Sequence, residues 1–238
     1  MIPFTQYDDG ADIVETAYLM EGVLFAREYF SRSDPEEVEI RGLADKLWRD
    51  VEWDWFVNKT SRVPAMIWHW SPKYGWKKNL YILGFNECQI VYVLALASPT
   101  HPIEAGSYWE GWESADYAPD RTEFGIHLEL GSRLAISPPL FMTQFSYLGL
   151  DPHQIFFHGR SYFDHFTDFC RVQIEYAESK SKVISFNGLP IGEQNENTVC
   201  NLFERGVVDC LDYPIKCFCF TWPGSTVDAS DQRSYFTR

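Results

Sequence analysis

Hydrophobic residues near the start of the chain recur at a spacing typical of a helix. These positions are Ile13, Ala17, Met20 and Leu24. Because spacings of three and four residues place side chains on one face of a helix, the pattern predicts a helix over residues 12–30. Asp12 is a suitable N-cap for this helix, and Glu15, three residues later, completes a capping-box pattern.

Start signals mark two further helices. The stretch Asp34-Pro35-Glu36-Glu37 combines an N-cap with a proline at the first helical position, which predicts a second helix that continues to about Asp54. Asn86 is the predicted cap of a third helix. Its body, residues 90–97, is fully apolar and is therefore expected to be buried on all sides.

The remainder of the chain shows weaker patterns. Residues 66–70 indicate a short strand, residues 124–134 alternate in part as a strand does, and residues 138–148 favour a short helix. Residues 161–180 predict a longer helix with an apolar face. We therefore predict a mainly α domain over residues 1–180. Residues 181–238 form a divergent C-terminal segment without a pattern that marks a separate domain.

Aromatic residues are unusually abundant, with 18 Phe, 13 Tyr and 9 Trp among 238 residues. Six of the tryptophans fall within residues 48–76. Aromatic faces stack both on sugar rings and on nucleic-acid bases. The formal net charge of −14 distinguishes these two partners, because a nucleic-acid-binding protein needs basic residues to contact phosphates. The composition favours an oligo- or polysaccharide and argues against nucleic acid.

The chain lacks the sequence motifs of several other classes of enzyme and binding protein. The chain has no GxGxxG, Walker A, GxSxG or HExxH motif. Its cysteines form no CxxC pair and its histidines show no ligand spacing, so neither a metal site nor a cofactor is predicted. The longest apolar run, residues 90–97, is too short to cross a bilayer, and residues 1–4 do not resemble a signal peptide.

Three carboxylates, Asp8, Asp9 and Asp12, flank Gly10 just before the first helix. The positive end of the helix dipole tolerates negative charge there, and a loop at that place can present carboxylates to a pocket. These residues can equally do no more than cap and solvate the helix end. Glu87 has the same two interpretations, as a functional carboxylate at the rim of a buried helix or as a complement to its dipole.

Five long segments, in order along the chain, carry a family resemblance. They are TQYDDGADIVETAYLMEG, IRGLADKLWRDVEWDWF, IWHWSPKYGW, GFNECQIVYVLALASPTHPI and PPLFMTQFSYLGLDP. Over about residues 3–178 the chain resembles the glucoamylase-like (glycoamylase) family of bacterial proteins, which includes the β-1,2-glucan hydrolases of glycoside hydrolase family 144. The resemblance implies an (α/α)6 toroid with long aromatic-rich loops and a sugar cleft at one end.

The resemblance also implies a function and a set of site residues. It implies a hydrolase that cleaves a glucan, above all β-1,2-glucan, with inversion, through a carboxylic acid and a carboxylate base. The implied catalytic residues are Asp8, Asp12 and Glu87, with Glu87 or Asp12 as the acid and Asp8 as the base. The implied substrate contacts are Asp9, Trp53, Trp55, Trp68, His69, Trp70, Trp76, Asn86 and His101.

Two departures from the family pattern limit these expectations. Family members are much longer, with helices before the DDGAD segment, and the likeness ends near residue 178. Only part of the toroid is therefore expected in this chain, and a periplasmic or extracellular location is expected if the true N-terminus is missing. Two alternatives stay open: a truncated sugar-binding remnant of the same fold with little or no activity, and a purely structural helical domain with the tryptophans in its core.

Overall fold

The computed structural model describes residues 9–59, 62–77, 80–113, 117, 120–131 and 138–181. Helices dominate these residues, which confirms the mainly α class. They are α1 (Ile13–Tyr29), α2 (Pro35–Arg49), α3 (Gln89–Ala97), the single turn α4 (Ala105–Ser107) and α5 (Tyr162–Ser181). The predictions for Asp8 and for residues 182–238 lie outside the described residues.

Three short antiparallel strand pairs connect the helices. They are β1 (Ala11–Asp12) with β2 (His69–Trp70), β3 (Arg121–Glu123) with β4 (Ile126–Leu128), and β5 (Phe156–Phe157) with β6 (Arg160–Ser161). In the first pair Asp12 lies opposite His69 and Ala11 lies opposite Trp70. The chain approaches β2 so closely at Gly10 that a Cβ atom there would lie 2.1 Å from the Trp70 carbonyl oxygen. Only glycine allows this contact, which brings the DDGAD segment against the tryptophan-rich segment.

The first two helices form a hairpin. The α1 helix agrees with its predicted bounds, and the Arg27 guanidinium binds the Asp45 carboxylate of α2 at 2.7 Å. The α2 helix begins at Pro35 as predicted but ends at Arg49 rather than Asp54. Its continuation is a 3-10 turn, Trp53–Phe56, because burial of the Trp53 side chain turns the chain towards the core.

The third helix ends at Ala97 as predicted but differs from its prediction in its start and its burial. It begins at Gln89 with Cys88 as the N-cap residue, and the Asn86 side chain accepts a hydrogen bond from the Cys88 N–H at 2.8 Å. Asn86 therefore stabilises the loop before the helix and is not its cap. The helix is not buried on all sides either, since Leu96 on its last turn is 36% exposed.

Tertiary contacts also change three of the weaker predictions. Residues 138–148 form two 3-10 turns, Leu140–Thr143 and Ser146–Leu148, instead of one helix. The strand pattern at 124–134 corresponds to a hairpin that starts earlier, at β3. Within residues 66–70 only β2 is a strand, while Met66 and Ile67 make isolated bridges. The α5 helix agrees closely with its predicted range.

The hydrophobic core lies between α1, α3 and α5 and is rich in aromatic rings. Its largest fully buried apolar side chains are Trp53, Trp112, Tyr92, Tyr162 and Phe169. Burying each such side chain removes a large apolar area from water. Part of the aromatic excess is thus explained by packing, as the purely structural hypothesis proposed.

Candidate active site

Asp12 joins the first helix to the tryptophan-rich segment. One of its carboxylate oxygens, Oδ1, accepts hydrogen bonds from the N–H groups of Val14 at 2.9 Å and Glu15 at 3.1 Å. The other oxygen, Oδ2, accepts from the indole N–H of Trp68 at 3.0 Å. The predicted helix cap is confirmed, and the same carboxylate also fixes a tryptophan from the WHWSP segment.

Glu87 lies in the loop that leads into α3. Its backbone carbonyl accepts hydrogen bonds from two hydroxyl groups, those of Tyr18 on α1 and of Ser146 in the second 3-10 turn. Two elements that are distant in sequence therefore fix the backbone at this residue. The side chain of Glu87 is half-buried.

Tyr18 links the two acidic positions through α1. Its hydroxyl, on the helix that Asp12 caps, donates to the Glu87 carbonyl at 3.0 Å. Burial raises the pKa of the neighbouring Cys88 thiol, and the negative charges of Glu87, Asp12 and Glu15 raise that pKa further, while a hydrogen bond with Tyr18 opposes the shift. The loop at Glu87 is thus held against the helix that Asp12 begins.

A cluster of indole rings lies beside β2. Trp55 contacts Trp70 with ring centroids 5.2 Å apart and Trp76 with centroids 4.9 Å apart. Trp55 is 42% exposed, and the other two rings are half-buried. We name Trp55, Trp70 and Trp76 the indole cluster. Exposed indole faces of this kind bind the C–H faces of sugar rings.

The other predicted substrate contacts have varied surroundings. Trp53 is fully buried, so its ring belongs to the core and has no accessible face. His69 is 2% exposed, opposite Asp12 in the strand pair. Asp9 is half-buried, and its Oδ1 atom has no hydrogen-bond partner among the described residues. The roles of His69 and Asp9 in binding remain predictions.

His101 lies apart from the acidic groups. In the chain His101 follows α3, whereas Glu87 precedes that helix. A helix of nine residues is about 13 Å long. The Nδ1 atom of His101 lies 3.3 Å from the Asp54 carboxylate, in the turn after α2. The structure therefore places His101 towards the opposite end of α3 from Glu87.

Glu21 is an acidic residue of this region that the sequence analysis did not select. It lies on α1 one turn beyond Tyr18, is 6% exposed, and its Oε1 atom has no hydrogen-bond partner among the described residues. Burial raises its pKa to about 8, and a hydrogen bond from the Gly149 backbone opposes that shift. Its position in the apolar stripe, four residues after Ala17, was the available signal, because a carboxyl on a core-facing stripe is rarely ionised.

A network of buried tyrosines surrounds the first residue of α3. The Gln89 amide donates a hydrogen bond to the Tyr108 hydroxyl at 2.9 Å and accepts one from the Tyr147 hydroxyl at 2.7 Å. Tyr117 and Tyr162 share a short hydrogen bond nearby. Burial raises the pKa of these tyrosines, that of Tyr108 to about 12. All four therefore stay protonated and can donate hydrogen bonds at neutral pH.

Over the described ranges, no group of three or more His, Cys, Asp or Glu residues is arranged to hold a metal ion. None of the helices described has the length and apolar character needed to cross a membrane.

The chain is similar to known proteins in sequence. The family model Glycoamylase, described as "putative glucoamylase", matches residues 79–189. A curated relative, the exo-β-1,2-glucooligosaccharide sophorohydrolase (non-reducing end) of Parabacteroides distasonis, is 34% identical over 191 residues, which cover 73% of this chain and 26% of the relative.

Solved structures of similar proteins also match this chain. An endo-β-1,2-glucanase from Chitinophaga pinensis, in complex with sophorotriose and glucose, matches with a TM-score of 0.70 and 36% identity. A structure from Bacteroides uniformis, titled a putative glucoamylase, matches with a TM-score of 0.71 and 40% identity. Both matches cover 79% of this chain and 44% of the solved chain, so this chain spans less than half the length of either relative. In sequence and in structure, the chain belongs to the glycoamylase-like family.

Proposed function

We propose that the protein is a glycoside hydrolase that cleaves a glucan, and that its substrate is β-1,2-linked. The observation that carries this proposal is that α1 contacts both acidic segments: its cap Asp12 accepts the Trp68 indole N–H, and its Tyr18 hydroxyl donates to the Glu87 carbonyl. The names of the relatives support the substrate, because they describe hydrolases of β-1,2-linked glucose oligomers and polymers. The (α/α)6 toroid, of which this chain would form a part, belongs to the same proposal.

The hydrogen bonds favour a division of roles between the carboxylates. Asp12 accepts three N–H bonds, so both of its carboxylate oxygens are engaged in holding the helix end and the Trp68 indole. Glu87 is held through its backbone carbonyl, and these bonds leave its carboxyl group available for the substrate. We therefore assign proton donation to the glycosidic oxygen to Glu87, and ordering of the acidic loop to Asp12.

Inverting hydrolysis needs a second carboxylate that activates water on the opposite face of the sugar. The two groups then stand roughly 6.5–9.5 Å apart, which leaves room for the water molecule. Asp8 is the proposed base, with Asp9 beside it, on the strength of the family resemblance. Stacking on the indole cluster would hold the glucose units in register with these groups.

Product analysis tests this proposal. The chain is incubated with β-1,2-glucan, and the products are resolved by thin-layer chromatography, with β-1,3- and β-1,4-glucans as controls. We expect oligosaccharides from the β-1,2-glucan alone, released first as the α-anomer in proton NMR spectra, since inversion of a β-linkage gives that anomer. The Glu87→Gln variant should release no product. Equal turnover by wild type and variant would contradict the assignment.

One observation favours a second candidate function. The chain spans 44% of the glucanase it matches, so a sugar-binding protein without turnover is the alternative. Calorimetric titration with β-1,2-glucan distinguishes the two, because that alternative predicts binding heat with no product. Absence of both heat and product would argue against either function.

A further inference from the structure

The backbone carbonyl of Glu87 is held in an unusual way. The Tyr18 hydroxyl donates to it at 3.0 Å from α1, and the Ser146 hydroxyl donates to it from the second 3-10 turn. A carbonyl oxygen has two lone pairs, so both of its acceptor sites are occupied. Residue 87 has no helical backbone bonds to hold it, because α3 begins two residues later.

Ser146 has a second contact that ties this carbonyl to the helix. Its oxygen also accepts a hydrogen bond from the Ile90 N–H at 3.1 Å, and the residue is fully buried. The N–H groups in the first turn of a helix lack partners within the helix, and Ser146 satisfies one of them from 56 residues away. One hydroxyl therefore fixes the loop at Glu87 and the first turn of α3 relative to each other.

Tyr18 supplies a donor that does not ionise near neutral pH. Burial raises the pKa of its hydroxyl, and the nearby carboxylates of Glu87 and Glu15 raise it further. The proton of the hydroxyl is therefore retained, and the bond to the Glu87 carbonyl persists wherever the protein is folded.

We propose that Tyr18 and Ser146 are positioning residues for Glu87. This inference rests on the proposed function, in which Glu87 is the catalytic acid. With its carbonyl held from two sides, the residue has one backbone orientation, which sets the point from which its side chain extends. Loss of either hydroxyl frees that orientation, and a displacement of about 1 Å at a catalytic group can lower the rate by a factor of about 100.

Kinetics of two single variants tests the inference. Tyr18→Phe and Ser146→Ala each remove one hydroxyl group from the full chain, and initial rates are measured on β-1,2-glucan. We expect kcat to fall at least about tenfold in each variant while KM changes less than about twofold, because an ill-placed acid impairs the chemical step and not the binding of the sugar. A general loss of structure would instead lower the fraction of active protein, which titration with a bound oligosaccharide measures.

Matched controls remove a hydroxyl group elsewhere. Tyr81→Phe deletes the acceptor of the Asn58 amide, and Thr143→Val deletes the donor to the Leu140 carbonyl one turn before Ser146. Both controls should keep the wild-type kcat. The inference is overturned if Tyr18→Phe and Ser146→Ala match these controls, or if their loss lies in KM. In that case Glu87→Gln still reports on the proposed function separately, whereas an inactive wild-type chain would overturn both.

Discussion

Asp12 combines a structural and a functional position in one side chain. It caps α1 through one oxygen and accepts the Trp68 indole N–H through the other. An asparagine at this position has a single carbonyl oxygen, which would have to accept from the helix N–H groups and from the indole N–H. Its amide N–H₂ group would face one of these donors. A loss of activity in Asp12→Asn therefore does not by itself identify a catalytic role.

We predict that Asp12→Asn destabilises the fold by about 1 kcal/mol, since loss of a capping or charge-assisted hydrogen bond costs about that much. Glu87→Gln should leave stability nearly unchanged, because the hydrogen bonds at that residue are made by its backbone carbonyl. Urea unfolding followed by tryptophan fluorescence measures both variants. Equal stability of Asp12→Asn and wild type would show that the amide rearranges without cost.

Glu21 makes folding stability depend on pH. Burial raises its pKa from 4.5 to about 8 in the folded protein. The folded state thus binds the proton more tightly than the unfolded chain does. This stabilisation is complete below pH 4.5 and is lost as the pH rises to about 8.

We predict that Glu21→Gln removes this dependence, because the amide is neutral at every pH and has nearly the same shape. The difference in unfolding free energy between variant and wild type should grow in favour of the variant between pH 5 and pH 8, by at most roughly 4 kcal/mol. Urea titrations of both proteins at several pH values measure this difference, in which the other titrating groups cancel. Parallel curves over this range would mean that Glu21 is ionised in the folded protein.

The roles of some of these residues can be predicted from the sequence, and those of others cannot. Asp12 is identified as a cap because capping depends on residues within one turn of it. The environment of Glu87 depends on Tyr18 and Ser146, 69 and 59 residues away, and local patterns hold no record of such contacts. The sequence predicts Asn86 as the cap of α3 because local patterns do not show distant contacts. In the structure the buried Ser146 hydroxyl accepts the hydrogen bond from the first turn of the helix that a local cap would accept.

At the scale of elements, the start of α2 is predicted better than its end. The α2 helix starts at the proline that follows its cap, whereas its end depends on burial of Trp53 in the core. Residues 138–148 form two 3-10 turns, and the second turn places the Ser146 hydroxyl between the Glu87 carbonyl and the Ile90 N–H, a contact that local sequence does not show. The resemblance to the family supplied the juxtaposition of the DDGAD and WHWSP segments, which no periodicity contains.

The contact between β1 and β2 depends on a glycine. We predict that Gly10→Ala destabilises the protein by roughly 1–3 kcal/mol, because the new Cβ atom would overlap with the backbone of Trp70, which has little room to move. A matched control is Gly42→Ala in the middle of α2, where no atom lies within 4 Å of the added methyl group. That change should stabilise the helix by about 0.5–1 kcal/mol. Thermal unfolding of the three proteins distinguishes these outcomes, and a neutral Gly10→Ala would show that the strand pair tolerates separation.

At the scale of the whole molecule, exposed leucines mark a surface on α2. Leu43 is 54% exposed and Leu47 is 51% exposed. Their spacing of four residues places them on one helix face, on the α1–α2 hairpin. The matched part of this chain covers 44% of either solved relative, so additional protein surface is available in them to cover apolar groups. Apolar patches left open on a soluble protein promote association.

We predict that the chain self-associates through this surface. Size-exclusion chromatography with light scattering should show a mass that rises with protein concentration, and the double variant Leu43→Lys with Leu47→Lys should shift the protein towards the monomer. Glu36→Gln with Glu39→Gln is the matched control, because it changes the net charge of the same helix by the same amount, two units, without removing apolar surface. The surface has the proposed role only if the leucine variant dissociates and the glutamate variant does not. Dissociation of both would instead show that the glutamates of α2 also take part in the contact, because a smaller net negative charge than −14 by itself weakens the repulsion between copies.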